Sequence, residues 1–496
     1  MRRKSILLAA GGMAIAAAAL MVGCGSNTGS NPAPDTPAPT SGSVVAFGSD
    51  APICDVESFS VQITSASLVP QDGGSPVPLI TSAAPATVDF ARLVDFTNIL
   101  SSAGVTPGTY NQLQLNLASP QLVVLDTTTS PPSPVTVNPT TLTTSSLTVN
   151  ISPALMVSSS TTSGLMVDFS LRKSVQVDGN GQVTGTVDPQ FTVAATTTSG
   201  TTVGEATSLY GIIENPTTSG VPSGFTGSFG LTLGDGTGQT LTILANSDTA
   251  FEGDGVTTFG DLTANTFVEV DAIVNTSGQI VAQTVDSEEQ TSSADQKSAF
   301  LGKIIGVTRD GSGNATSFTL LVDAELPNMN GAVPLHSGLN IALTDTTRYW
   351  TLWQHWNRQA FTLGPQTLGV AERVAVFGVL GSGSPPTMTA NRVFLRPRTV
   401  MGNFNTLLAA GSDGTTGGFT MTPCGALFGG QPITIVTYSD TFFNNVSGLA
   451  ALTPSPTLRV YGDLFYEQTS GTAKTGASWT APTWVLQARG VHQLPN

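Results

Sequence analysis

From Ser43 to about Ser199 the apolar positions recur at every second residue. Phe59, Val61 and Ile63 form one such run, Leu113, Leu115 and Leu117 another, and Val167, Phe169 and Leu171 a third, followed by Val175 and Val177. A period of two sends alternate side chains to opposite faces, so each run predicts a strand with one buried side. Asp178-Gly179-Asn180-Gly181, between Val177 and Val183, predicts a tight hairpin, because Asn and Gly accept the positive φ that such turns need. The helix-like run Phe90 to Leu100 is short and precedes Pro107-Gly108, so it predicts a crossing between strands. Residues 43–200 therefore read as an all-β unit, a β-sandwich.

Beyond Thr207 the pattern repeats. A first copy, residues 207–290, runs Leu209-Tyr210-Gly211-Ile212-Ile213, Leu241-Thr242-Ile243-Leu244, Asp248-Thr249-Ala250-Phe251, Val268-Glu269-Val270-Asp271-Ala272 and Ile280 to Val285. A second, residues 299–398, has Leu301-Gly302-Lys303-Ile304-Ile305, Leu339 to Leu343, Asp345-Thr346-Thr347-Arg348-Tyr349, Val374 to Gly378 and Ala390 to Val393. The third, residues 399–496, keeps the order with Met401-Gly402-Asn403-Phe404, Ile433-Thr434-Ile435, Asp440-Thr441-Phe442-Phe443, Leu458 to Gly462 and Val485 to Arg489. Each copy holds five or six short strands, enough for one small barrel and too long for a solenoid repeat. The expected fold is thus an N-terminal β-sandwich followed by three small OB-like β-barrel repeats.

The segments Ser49-Asp50-Ala51-Pro52, Asp55-Val56-Glu57, Val88-Asp89-Phe90 and Pro107-Gly108-Thr109-Tyr110, the last leading into Leu113-Gln114-Leu115, carry a family likeness. Together they resemble the N-terminal module of bacterial lipoproteins known as domain of unknown function 4382, which implies a β-sandwich; the family has no established activity, so no catalytic role is carried over from it. The repeats resemble domain of unknown function 5666, which implies small barrels of oligonucleotide/oligosaccharide-fold character.

The chain's start points to export. Arg2, Arg3 and Lys4 precede the apolar run Ser5 to Val22, and Gly23-Cys24 follows, the order of a secretory signal. Leu20-Met21-Val22-Gly23-Cys24 resembles a lipobox, so residues 1–23 are expected to be a signal peptide and Cys24 to carry the lipid. The Pro-rich residues 24–42 read as a tether. By resemblance to the lipoproteins of didermic bacteria, Gly25 after the cysteine, where Asp would signal retention, implies the outer membrane, with the chain expected to face the periplasm or the surface. Cys54 and Cys424 are the only other cysteines. Placed in separate modules, they are expected to be two buried or idle thiols, although an oxidising compartment permits a disulfide.

Charge excludes one class of partner. With 18 basic against 33 acidic residues and a net charge of -15, the chain has no basic stripe to displace counterions from phosphate, so nucleic acid is not an expected partner. The three histidines, His336, His355 and His492, lie far apart with no His-x-His or His-Glu-x-x-His spacing, so no metal site and no cofactor is expected. The Asp-Gly clusters at Gly234-Asp235-Gly236, Glu252-Gly253-Asp254-Gly255, Asp310-Gly311 and Ser412-Asp413-Gly414 lack the spaced carboxylates of a Ca²⁺ loop and read as hairpin turns.

One segment stands apart. Tyr349, Trp350, Trp353, His355, Trp356 and Arg358 gather three of the chain's five tryptophans with a base and a cation. Exposed aromatic faces stack on sugar rings, so this segment is the candidate ligand site for a polysaccharide; the plainer reading packs the tryptophans against a barrel end. The expected function is a non-enzymatic, lipid-anchored envelope protein presenting β-modules to a polysaccharide or an envelope protein. A glycan-acting surface enzyme, or a spacer without ligand, are the competing expectations.

Overall fold

The computed structural model describes residues 41–496, apart from residues 52, 95–96, 180–181, 235–238, 254–255, 291–296, 327–332, 352–360, 453–455 and 495–496. Residues 1–40, with Cys24, the expected signal peptide and most of the expected tether, lie outside the described residues, as do Trp353, His355, Trp356 and Arg358.

The chain is all-β. In the first module eight strands follow one path, with two more paired beside it, but the link between its halves is a single parallel pair, Val193 with Ile151, so two sheets face each other across one core. One sheet is led by the strands Val56–Pro70, Gly108–Asp126 and Ser146–Val157, the other by Gly42–Ala51, Thr162–Ser170 and Phe191–Ala195. Phe59 of the first stacks on Phe169 of the second with ring centroids 5.2 Å apart, and Phe90 and Phe191 close around them. The period-two residues Phe59, Val61, Ile63, Leu113, Leu115, Leu117, Val167 and Phe169 are all buried.

Three details depart from the pattern. Leu171 begins the short helix Leu171–Ser174 instead of ending a strand. Val177 is 50% exposed, because the hairpin's pairing slips between Val175 and Val177. The helix-like run shrinks to a 3₁₀ turn, Phe90–Val94, and the chain rejoins the sheet as Asn98–Val105 beside the first strand.

The three repeats share one topology. The first barrel uses Thr202–Thr217, Gly227–Leu233, Thr240–Ala245, Ala250–Gly253, Thr266–Asn275 and Ile280–Gln290. The second uses Lys297–Arg309, Ala315–Leu326, Gly338–Ala342, Arg348–Thr351, Arg373–Leu380 and Thr387–Arg396. The third uses Arg398–Ala410, Gly417–Pro423, Ile433–Thr437, Phe442–Asn444, Thr457–Glu467 and Thr483–Gln493. In every copy the order is third, second, first, fifth, sixth, and the sixth returns in parallel to the third, closing a five-stranded Greek-key barrel. The short fourth strand adds to the sixth, also in parallel.

Equivalent residues explain why the copies share motifs. Gly211, Gly302 and Gly402 each sit where a Cβ would lie 2.5, 1.9 and 2.3 Å from a carbonyl oxygen of the neighbouring strand, so no larger residue fits. The fifth strand bulges at Asp271/Ala272, Phe377/Gly378 and Tyr461/Gly462, bending it around the barrel. The hydroxyls of Thr249, Thr347 and Thr441 each accept an amide N–H three residues upstream and donate to the carbonyl of Ala282, Ala390 or Ala488 at 2.8, 2.8 and 2.9 Å. That threonine fastens the loop before the fourth strand onto the sixth.

The modules pack in a circuit of contacts. Val45, Phe47 and Ile99 of the sandwich enter the first barrel's core cluster. Phe267 of the first barrel meets Phe377 of the second edge-on at 5.6 Å. Phe361, in the second, stacks on Phe465 of the third at 5.2 Å. The third barrel then returns to the sandwich: Leu427 packs with Leu125 and with Ile305 and Leu321 of the second barrel. Cys54 and Cys424, 370 positions apart in sequence, form a disulfide across this last contact, with Cα atoms 5.7 Å apart. The expectation of two separate thiols is thereby corrected: the circuit brings the first and last modules together, a proximity invisible in the linear order.

Candidate functional site

Where the sandwich, the second barrel and the third barrel meet, a cleft of about 140 Å³ opens. The sandwich contributes Cys54 to Glu57, at the head of the strand Val56–Pro70, and Arg92 from the 3₁₀ turn. The second barrel contributes Lys303, Asp323 and Arg373, from its first, second and fifth strands. The pairing sets Lys303 directly opposite Arg373, while a register shift beside Gly302 brings Asp323 next to them. From the third barrel come Arg398 to Met401 and the turn Cys424 to Phe428.

The walls are fixed by polar contacts between modules. Lys303 forms an ion pair with Glu57 of the sandwich. The Asp55 carboxylate accepts the Ala426 amide at 2.8 Å, beside the disulfide, and the Asp55 carbonyl accepts the Leu125 amide at 3.1 Å. Asp55 holds φ at 62° and Gly425 at 105°, so both neighbours of the bridging cysteines use left-handed backbone to turn toward each other. Arg398 donates to the carbonyls of Ala371 and Thr399 and lies 6.0 Å over the Phe428 ring.

Behind the cleft His336 Nε2 lies 3.1 Å from Asp89, joining the second barrel to the sandwich. Asp89 also accepts the Ser58 hydroxyl at 2.8 Å and the Phe59 and Ala91 amides at 3.0 and 3.1 Å. Burial pushes the Asp89 carboxyl up, but His336, Arg92 and Ser58 outweigh it and the net displacement is downward. Burial would lower His336, yet the hydrogen bond and charge of Asp89 hold it above the ordinary histidine value. Burial raises Asp323, and the charges of Arg373, Arg92, His336 and Lys303 only partly offset that.

A second polar layer joins the barrels. Arg396, 2% exposed, approaches Glu269 of the first barrel at 2.6 Å and Asp286 at 4.0 Å, and its guanidinium lies 4.5 Å from the Phe394 ring. Burial lifts Asp286 to about 7 despite Arg396, and Glu269 adds to the rise. Arg373 borders both this layer and the cleft.

The aromatic segment is described only at Tyr349 and Trp350. Tyr349 pairs with Val393 and packs on the barrel core, as its counterparts Phe251 and Phe443, paired with Val285 and Val491, do in the other copies. Burial pushes its hydroxyl up to about 12. Trp350 is 41% exposed, with the Arg392 guanidinium 6.0 Å from its ring, and its counterparts are Glu252 and Asn444. The inward aromatic thus belongs to the repeat, and the outward tryptophan is peculiar to the second copy.

The cleft residues Arg92, Lys303, Asp323, Arg373 and Arg398 carried no signal in sequence reading, because they come from three modules and no two form a motif. The available clue was compositional: cations are scarce in this acidic chain. Among the described residues no three His, Cys, Asp or Glu side chains are grouped to hold a metal ion.

The fold and site define an all-β protein in which a sandwich and three Greek-key barrels are locked by a disulfide around a charged cleft. Residues 41–184 match the family model described as "Domain of unknown function (DUF4382)". No curated protein sequence matches the chain. A solved structure, "drosophila Unr CSD456", aligns at 12% identity over 58% of this chain and 98% of its own, with a TM-score of 0.14, a superposition on which no argument rests.

Proposed function

We propose that the chain is a lipid-anchored, non-catalytic protein of the bacterial cell envelope, held at the outer membrane through Cys24, whose joined β-modules serve binding or structural interaction. The observation that carries this reading is the Cys54–Cys424 disulfide. Such bonds persist in oxidising, extracytoplasmic compartments and are rare where glutathione keeps thiols reduced. The signal-like start and Gly23-Cys24 agree with it, and the barrels' likeness to domain of unknown function 5666 belongs to the same reading.

The partner class is a polysaccharide or an envelope protein. The outer faces of the barrels' second and third strands carry hydroxyl and amide groups, with Thr232 bonded to Thr240 and Thr319 to Asn340. Such a face lacks the bases and stacking rings that single-stranded nucleic acid requires, whereas exposed Trp350 offers a ring for a sugar.

The test is fractionation of cells that express the full chain. Wild type is expected in the membrane fraction, and Cys24→Ser in the soluble extracytoplasmic fraction, each with Cys54 and Cys424 protected from alkylation until a reductant is added. Free thiols in the untreated wild type, or Cys24→Ser remaining in the membrane, would overturn the reading.

A further inference from the structure

The cleft's charge is unlike that of the chain. Acids outnumber bases 33 to 18 overall, yet Arg92, Lys303, Arg373 and Arg398 line this one cavity against the three carboxylates Asp55, Glu57 and Asp323. Glu57 and Lys303 offset each other as a pair, which leaves the guanidiniums of Arg92, Arg373 and Arg398 against Asp55, which accepts the Ala426 amide, and Asp323, which burial raises. The local potential therefore favours an anion in a molecule that elsewhere repels one, and low-dielectric walls strengthen that preference.

Size and surface narrow the class. About 140 Å³ is close to the roughly 150 Å³ cavity known to admit benzene. Val400, Leu427 and Phe428 line the same cavity and give it apolar surface beside the cations. A few directed charged groups beside apolar surface, at a junction between modules, is the usual construction of a small-molecule site.

We propose that this cleft binds a small organic carboxylate, its anionic group facing Arg92, Lys303 and Arg373 and its short apolar or aromatic body lying on Val400, Leu427 and Phe428. The guanidinium fork suits a carboxylate because it presents parallel N–H donors. All three modules contribute to the site, so ligand and disulfide favour the same closed arrangement of the circuit. The inference stands apart from the anchor: if Cys24 carries no lipid, the cleft is unaffected.

Calorimetric titration of the full chain in detergent, at low ionic strength, tests it with benzoate, benzamide and inorganic phosphate. Benzoate is expected to bind with Kd of about 1 mM or tighter. Benzamide, isosteric but uncharged, and phosphate, charged but without an apolar body, should each bind at least about tenfold more weakly, and added salt should weaken benzoate. Leu427→Trp, which fills the cleft without altering charge, should abolish binding. Lys303→Gln should weaken it about fivefold or more, since it leaves the Glu57 carboxylate unpaired beside the ligand; if that variant unfolds, Glu57→Gln/Lys303→Gln removes the pair together and should still weaken benzoate about twofold or more. Benzamide or phosphate binding as well as benzoate, no benzoate binding, or full binding by Leu427→Trp with an unchanged melting temperature would each overturn the proposal.

Discussion

Glu372 shows how far a single residue can be pushed by its surroundings. It is wholly buried between the second and third barrels, where Oε1 accepts the Tyr466 amide at 3.0 Å and Oε2 has no hydrogen-bond partner. Burial holds its pKa well above the ordinary 4.5, with the backbone amides and Arg309 only partly opposing. A carboxyl raised on folding contributes stability that is complete below its unfolded pKa and is lost as pH rises through the folded one; each unit of displacement is worth about 1.4 kcal/mol. Glu372→Gln keeps the shape and the bond to Tyr466 and removes the titration. The variant is therefore expected to melt near the wild-type temperature at pH 4 and several degrees higher at pH 9, as thermal denaturation across that range will show. A wild-type-like fall toward alkaline pH in the variant would place the titration elsewhere. His336, raised by Asp89, and Asp286, at about 7, lose their contributions in the same direction, so this residue is tested against its own variant and not by the wild-type profile alone.

At the scale of the element, the repeat is written in backbone requirements as much as in hydrophobic pattern. Gly302 pairs across to Val322, and a Cβ there would lie 1.9 Å from the Leu321 carbonyl oxygen, whereas Gly311 occupies a turn with open space around it. Gly302→Ala is expected to cost about 2–3 kcal/mol by forcing the first two strands of the second barrel apart, and Gly311→Ala to stay within about 0.5 kcal/mol. Urea denaturation of the two variants measures the difference, and equal midpoints would remove the close-approach account. Such elements were legible in the sequence because each motif repeats with its strand: Leu241 to Leu244, Leu339 to Ala342 and Ile433 to Ile435 all fall on the third strand of their barrel. The sandwich core was legible for the same reason, its period-two residues being buried on one side. The second strands, such as Gly227–Leu233 and Gly417–Pro423, have motifs too weak to align, and Val177 defeats the pattern because pairing slips beside it. The cleft was illegible, since Cys54, Arg92, Lys303 and Cys424 meet only after four modules have packed.

For the whole molecule the decisive fact is that its modules do not hang in a line. The third barrel is tied to the sandwich by Cys54–Cys424, and around that bond the Asp55 contact to Ala426 and the small Leu125, Ile305, Leu321 and Leu427 cluster reinforce the closure. A bond spanning so many residues chiefly restricts the open state, and its loss commonly costs about 2–5 kcal/mol. Because several units are present, that cost falls on docking, and unfolding need not be a single transition. The two cysteines differ in access, Cys424 being exposed and Cys54 half-buried, so a reductant reaches the bond in the folded protein. Cys54→Ser/Cys424→Ser is therefore expected to retain the far-ultraviolet circular dichroism of the wild type, since every barrel keeps its own closed sheet. Its calorimetric profile should split, or its first transition should fall by several degrees, and wild type treated with a phosphine reductant should behave alike. Limited proteolysis should then open the segment around Gly425, which the closed circuit holds against Asp55. An unchanged endotherm in both samples would mean that packing alone holds the last barrel on the first module. The charged cleft would then rest on side-chain contacts, with the disulfide a bystander at its wall.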